Sequence, residues 1–245
     1  MHKFFTEEMD AQTAVVRGDD HKHLFKVLRL KIGDEVVVND LQGQDYAGEI
    51  QEMDKQWTKI RITEKIHDTN ESPLRVTLFQ GQPKAGKMDL IVQKCTELGV
   101  VKIVPVDTAR VVVKNAQEYK KLDRLKRIAL EAAKQSKRST LPEIVEPLSF
   151  DHVMEVLAVY DVVVVPYENQ EDFGFVALKE AVPTAQSMAI FVGPEGGFTE
   201  EEIHKLRAAH AHIVTLGKRI LRTETAGFTA VAMAQLLYGD MGGKK

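Results

Sequence analysis

The residues best suited to chemistry lie late in the chain, in two glycine-bearing stretches. The first is Gly193-Pro194-Glu195-Gly196-Gly197-Phe198-Thr199, set between an apolar run and a helical pattern. Thr199 followed by Glu202 forms a capping box, so this loop leads directly into a well-made helix start. Glycines let backbone amides approach a ligand closely, and open α/β sheets bind ligands at the carboxyl ends of their strands. A tight turn needing positive φ accounts for the same glycines without any ligand. The second stretch, Leu216-Gly217-Lys218-Arg219-Ile220-Leu221-Arg222, runs into Thr223-Glu224-Thr225-Ala226. Thr223 is placed to cap a helix and Glu224 falls in its first turn. Read as adjacent strand ends, one carrying Arg222 and Glu224, the two stretches make the best pocket candidate in the sequence. Beyond them Ala226, Ala230, Ala232 and Ala234 form a small-residue surface, suited to core packing or to a second copy across a dimer axis.

Other chemistries fail on particular residues. Gly81-Gln82-Pro83-Lys84-Ala85-Gly86-Lys87-Met88 has the skeleton of a triphosphate loop, but Met88 stands where a hydroxyl must hold magnesium. Pro83 also withholds a backbone amide from any phosphate cradle. The segment reads as a strand-to-helix connection, with Lys84 and Lys87 as candidate RNA contacts. A dinucleotide site would place its glycines after the first strand of the α/β domain, where G-x-G-x-x-G is missing. The eight histidines fall into no metal-ligand spacing with one another or with Cys95, so no metal is expected. No serine sits in G-x-S-x-G context.

The elements that must position these residues divide near residue 72. Up to residue 65 the pattern is short strands, at 14–16, 35–39, 46–53 and 57–66, interrupted by one helix. Asp19 or Asp20 should cap that helix, Leu24, Val27 and Leu28 should share its buried face, and Gly33 lies just beyond it. Strands plus one helix in this length predict a small β-barrel. The polar stretch 67–73, closing in a proline, reads as a linker. After it, apolar strands at 75–79, 102–106, 162–165, 188–192 and 212–216 alternate with helices at 88–98, 116–137, 199–209 and 223–238. That order predicts a parallel sheet covered by helices. The expected domains are 1–72 and 73–245.

The chain has 245 residues, 44% of them hydrophobic, which suits one large domain or a small one joined to a medium one, and excludes disorder. Met1 to Asp10 carries charge where a signal peptide is apolar, and no apolar run approaches a membrane span of roughly 18 residues. A single cysteine permits no internal disulfide. A soluble cytoplasmic protein is expected. With 33 basic against 36 acidic side chains the net charge is -3, which argues against a generally basic nucleic-acid binder. The charge is unevenly spread: residues 1–72 hold 10 basic and 15 acidic side chains, residues 73–245 hold 23 and 21. From Lys114 to Arg138 there are nine basic residues and three acidic ones. On a helix Leu125, Ile128, Ala129, Ala132 and Ala133 gather on the buried side, leaving Arg124, Arg127, Lys134 and Arg138 largely outside. That face is either simply solvated or turned to phosphates.

With these residues the sequence resembles the 16S ribosomal RNA uridine-N(3) methyltransferases of the RsmE type, in the SPOUT class. The resemblance covers essentially the whole chain. It rests on His23-Leu24-Phe25-Lys26-Val27-Leu28-Arg29-Leu30 with Gly33-Asp34, on Gln93-Lys94-Cys95-Thr96-Glu97-Leu98-Gly99-Val100, and on Glu131 to Arg138 with its Gln135-Ser136. It rests most strongly on Gly193 to Phe198 and on Leu216-Gly217 with Arg219 to Ala226. Lys3 stands where an arginine is common, Lys218 where a proline is, and Lys134 where an acidic or neutral residue is.

The resemblance implies a PUA-like β-barrel followed by an α/β domain threaded into a trefoil knot, with two knotted domains paired as a homodimer. It implies S-adenosylmethionine as cofactor. Gly193, Pro194, Glu195, Gly196, Gly197, Leu216 and Gly217 would line it, and Ile220, Leu221, Arg222, Thr225 and Ala226 would close over it. The substrate implied is 16S rRNA or the assembled 30S subunit. RNA contacts would come from Lys3, Lys22, Lys26, Arg29, Arg124, Arg127 and Arg138. Ring nitrogen 3 of uracil is a poor nucleophile until it loses its proton, and it lies on the pairing edge, so the base must be unpaired or extruded. Arg222 is expected to stabilise the developing anion, and Glu195 or Glu224 to orient the base or take the proton. Glu224 reads equally as a helix N-terminal charge. Two rivals stand beside this: methylation of a ribose 2′-hydroxyl or a different base, and a non-catalytic RNA-binding assembly factor.

Overall fold

The structure, a computed structural model, describes residues 1–67, 70–84, 86–111 and 122–243. Its contacts group into two units, residues 1–71 with 133–141, and residues 72–132 with 142–245.

The first unit is a five-stranded sheet of β1 (His2–Phe5), β2 (Thr13–Arg17), β3 (Glu35–Asn39), β4 (Asp45–Met53) and β5 (Trp57–Ile66). The order is β1-β3-β4-β5-β2, with β1 parallel to β3 and the other pairs antiparallel. Alternation sets the core: Ala14 and Val16, Val36 and Val38, Ile50 and Ile60 point inward with Phe4 and Leu24. Between β2 and β3 run α1 (Gly18–Lys22) and a π-helical turn at His23–Val27. Asp19 and Asp20 do not cap α1, whose N-cap is Arg17 without a side-chain bond. Asp20 instead accepts from the Phe5 amide and from Lys134. Leu24 is buried as expected, but Val27 is 65% exposed. The wider π turn, closed by Leu28 N–H to the His23 carbonyl, breaks the α spacing on which that face was read.

The linker reading also changes at Glu71. Its carboxylate accepts from the Arg138 guanidinium at 2.7 Å and from the Ser139 and Thr140 amides. Segment 133–141 thereby joins the first unit. There Lys3 Nζ sits 2.6 Å from Asp45, which also accepts from Asn39 and Ser139, all of them inside.

In the second unit seven strands are all parallel: β6 (Arg75–Gly81), β7 (Val100–Asp107), β8 (Glu143–Ile144), β9 (Leu148–Ser149), β10 (Val162–Pro166), β11 (Ser187–Val192) and β12 (His212–Val214). The order is β12-β10-β11-β6-β7-β8, with β9 also on β7. Alternate residues of one strand feed opposite cores, which is why these strands read as apolar throughout. Val162, Val164, Met188 and Ile190 face α2 (Lys87–Glu97), α3 (Leu122–Gln135), α5 (Phe175–Ala181) and α7 (Thr223–Tyr238). Val163, Val165, Ala189 and Phe191 face α4 (Phe150–Val156) and α6 (Glu200–Ala208). The sequence reading missed β1, α4 and α5, each seven residues or fewer, and the two-residue strands β8 and β9. Of the helix expected at 116–137, residues 116–121 lie outside the described residues, and the remainder ends at Gln135. Lys137 then adopts a left-handed φ of 57°, and the Arg138 amide bonds back to the Ala133 carbonyl, a Schellman-type stop. No helix among the described residues is long and apolar enough to cross a membrane.

Candidate active site

Because every strand of the second sheet runs the same way, the loops leaving β6, β10, β11 and β12 emerge at one edge, and these four strands are neighbours. A cavity of about 880 Å³ opens there. Its size suits a ligand of cofactor dimensions. The two glycine stretches are not on adjacent strands as read from the sequence, since β10 lies between β11 and β12. The loop after β10 therefore enters the middle of the cavity and contributes Tyr167, Glu168, Gln170, Glu171 and Asp172, beside Pro166 at the strand's end. No motif pointed to it; the signal was a run of acids, Glu168, Glu171 and Asp172, placed just beyond the Val162–Pro166 strand.

The loop after β11 is a turn closed by the Gly197 amide on the Pro194 carbonyl at 2.9 Å, with Gly197 at a φ of 68°. Phe198 next to it is buried edge-on against Phe191, fixing the loop to the sheet. Thr199 then caps α6 with the expected capping box, Thr199 and Glu202 bonding each other's backbone amides. On the other side β6 and the loop approach so closely that a Cβ on Gly81 would lie 2.6 Å from Pro194. The segment after β12 carries Gly217 at a φ of 101°, its amide bonded to Thr215 Oγ1 at 3.1 Å. Arg222, exposed, is the N-cap of α7. Thr223 is therefore not the cap: it is the first helical residue, and its hydroxyl accepts from Gln80 Nε2 and donates to the Gly193 carbonyl.

Of the residues expected around a cofactor, Gly193, Pro194, Glu195, Gly197, Leu216, Gly217, Ile220, Leu221, Arg222 and Ala226 line the cavity. Gly196 and Thr225 do not; the Gly196 carbonyl accepts from Arg110 instead, and Thr225 is exposed on α7. Arg222 and Glu195 share the cavity, and Glu224 reaches its wall through Lys87. The Lys87 ammonium lies 3.1 Å from Glu195 Oε1 and 3.3 Å from Glu224 Oε2. Burial pushes the Glu195 carboxyl up, but bonds from its own amide, the Lys84 amide and Lys87 outweigh this and hold it below the ordinary range. The bond to Glu195, with that to Glu224, holds Lys87 above its own range against a smaller effect of desolvation. Tyr167 is pushed upward by burial and donates to Glu200 at 2.6 Å. The lysine of the triphosphate-like skeleton is thus engaged by carboxylates.

The cations expected at RNA separate into two groups. Lys22, Lys26 and Arg29 of the first unit, and Arg124 and Arg127 of the second, are exposed, Arg124 pairing with Asp89. Lys3 and Arg138 are interior, with side chains 7% and 3% exposed and carboxylate partners in Asp45 and Glu71. Arg138, read as largely outside on its helix, is thus inside, as is Lys3. Arg138 turns inward because the helix ends three residues before it. Lys134 is half-buried against Asp20 at 2.8 Å. Among the described residues no cluster of three or more His, Cys, Asp or Glu side chains could hold a metal ion.

Comparison with known proteins agrees with this architecture. A family model for an RNA methyltransferase domain matches residues 70–235, and one for an RNA methyltransferase PUA domain matches residues 16–57. Ribosomal RNA small subunit methyltransferase E of Bacillus subtilis is 34% identical over 94% of this chain and 94% of its own length. The protein of the same name from Aquifex aeolicus is 32% identical over 95% and 98%. The crystal structure of a ribosomal RNA small subunit methyltransferase E from Neisseria gonorrhoeae bound to S-adenosyl methionine superposes with a TM-score of 0.85 at 31% identity, covering 98% of this chain and 99% of that one. A PUA domain ahead of a parallel α/β methyltransferase domain, matched along nearly the whole chain, shows that this protein belongs to the ribosomal RNA small subunit methyltransferase E family.

Proposed function

We propose that this protein transfers a methyl group from S-adenosylmethionine to ring nitrogen 3 of one uridine in 16S rRNA, on the assembled 30S subunit in the cytoplasm. The observation that carries the reading is the cavity that brings both glycine stretches together with Arg222 and Glu195. Its lining fits such a donor: Val192, Leu216, Ile220 and Leu221 offer apolar surface, while Glu168, Glu171 and Asp172 offer carboxylates to a cationic ligand with ribose hydroxyls. The donor supplies a methyl group activated by a sulfonium. The protein's part is positioning and charge.

Arg222 stands at the N-terminus of the 16-residue helix α7, where the guanidinium and the helix amides both favour negative charge. Arg222 thereby stabilises the anion that develops on a uracil oxygen as the ring nitrogen loses its proton. Glu195, held ionised, orients the base edge, and Glu195 or Glu224 accepts the proton. The reading extends to residues 1–72 as an RNA-binding domain and 73–245 as a knotted SPOUT domain that pairs as a homodimer. Lys22, Lys26, Arg29, Arg124 and Arg127 hold phosphates.

The test is nucleoside mass spectrometry of 16S rRNA from a deletion strain. One N(3)-methyluridine should be missing and should return on complementation with the native gene, but not with Arg222→Ala. A methylation lost at a ribose or at another base overturns the assignment. Arg222→Ala that binds the donor normally and methylates at the native rate removes the role of Arg222.

A further inference from the structure

Lys87 occupies a place that helix energetics disfavour. It is the first residue of α2, directly after Gly86 at a φ of 85°, and a cation there meets the positive end of the helix. What holds it is a pair of carboxylates from two other segments, Glu195 in the loop after β11 and Glu224 in the first turn of α7. Their side chains are 24% and 12% exposed, and that of Lys87 27%. One ammonium thus ties together the end of β6, the glycine loop and the start of α7. The Lys84 amide, just ahead of α2, adds bonds to Glu195 at 3.0 and 3.2 Å. Elsewhere on α2, Asp89 is taken by Arg124, and Lys94 pairs with Glu97. The loop after β12 brings Lys218, Arg219 and Arg222 to the same cavity, and the loop after β10 brings Glu168, Glu171 and Asp172.

Two carboxylates that share a cation remain charged together. Without the cation they repel in a partly desolvated site, and one of them takes up a proton. We propose that Lys87 is a positioning residue for the methyl transfer: its ammonium, anchored by Glu224, holds the Glu195 carboxylate in one fixed arrangement on the cavity wall. The incoming base then meets a Glu195 carboxylate already placed to accept a hydrogen bond or a proton. The inference rests on the function proposed above. The raised Lys87 and lowered Glu195 titrations run in the direction this requires.

Two measurements on the full-length protein test it. In the first, 13C NMR follows the Glu195 and Glu224 carboxyl carbons of the cofactor-free protein through a pH titration. In Lys87→Met the Glu195 carboxyl should titrate at least about one unit higher than in native protein. In the second, the acid limb of the single-turnover methylation profile should move up with it. Lys87→Arg should restore both readouts, and Lys87→Met/Glu224→Gln, which removes the competing carboxylate, should return Glu195 towards its native titration. Lys87→Gln is measured alongside, so that a folding loss in one variant does not decide the result. Unmoved carboxylates, or moved carboxylates with an unmoved rate profile, overturn the role of Lys87. A native protein that methylates no rRNA overturns the function itself, whereas an active native protein with an unmoved variant profile overturns only this inference.

Discussion

Thr223 Oγ1 lies 2.5 Å from the carbonyl oxygen of Gly193 and donates to it, so the first residue of α7 is bonded to the first residue of the glycine loop. The same hydroxyl accepts from Gln80 Nε2 at 2.8 Å, which brings in the end of β6. All three groups are buried. One hydroxyl thus joins three segments at the cavity's edge.

Thr223→Val keeps the shape and removes both bonds. Leaving a buried carbonyl and a buried amide short of partners costs about 1–3 kcal/mol. Urea denaturation should show a loss in that range, and donor affinity measured by calorimetry should fall with it. Thr223→Ser should recover most of both. A valine variant as stable as native protein would mean that the hydroxyl carries no net energy.

Glu71 gives a prediction in pH. Burial pushes its carboxyl up, but the Arg138 guanidinium, with the Thr140 amide and hydroxyl, outweighs this and holds it below its ordinary 4.5. A carboxylate with a depressed folded pKa adds stability that is fully present above the unfolded value and is lost as pH falls through the folded one. Glu71→Gln should therefore cost about 1.5–3 kcal/mol at neutral pH, since it removes charged hydrogen bonds to the buried Arg138 guanidinium. The difference from native protein should shrink as pH falls below about 4.5. Parallel urea titrations at neutral and acidic pH check this, and a gap that stays constant with pH would assign the loss to shape instead of charge.

What the sequence made legible was periodic or local. Strands β3 and β5 and helix α7 fall at the residues read for them, because alternation and helical spacing are visible within one segment. The Thr199 capping box was likewise readable, since both of its partners lie within four residues. What escaped depended on distant partners. Nothing near Lys3 or Arg138 announces that Asp45 and Glu71 would bury them, at separations of 42 and 67 residues. The loop after β10 escaped because its place in the cavity follows from strand order, with β10 between β11 and β12, which chain order does not reveal. Lys87 was noticed only within an incomplete triphosphate loop and as a candidate RNA contact, and its carboxylate partners lie more than 100 residues away.

The glycines of the cavity should not be equally replaceable. Gly197 has a φ of 68°, and a Cβ there would lie 2.7 Å from Glu168 Oε1. Gly217 has a φ of 101°, with no atom within 4 Å of the same position. Gly217→Ala should cost only backbone strain, about 1–2 kcal/mol. Gly197→Ala adds a collision with a cavity carboxylate, so it should lower donor affinity further than its loss of stability accounts for. Calorimetry set beside thermal melting separates the two, and equal affinity losses in the two variants would contradict the assigned geometry.

Salt dependence tests the exposed cations against the buried ones. Lys22, Lys26, Arg29, Arg124 and Arg127 stand open to solvent, whereas Lys3 and Arg138 are committed to interior carboxylates. A side chain that contacts a phosphate releases counterions when RNA binds, so its removal weakens binding and flattens the dependence of log affinity on log salt by about 0.7–0.9 per contact. Charge reversal at Lys22, Lys26 and Arg29, and separately at Arg124 and Arg127, should therefore lower affinity for 30S particles and reduce that slope, with the melting temperature nearly unchanged. Lys3→Met should do the reverse, lowering the melting temperature by removing the cation beside the buried Asp45 carboxylate while leaving the slope of the folded fraction at its native value. A Lys3 variant that keeps its stability and loses slope would return that residue to the RNA surface, and charge-reversed variants that bind 30S particles undiminished would remove these five cations from it.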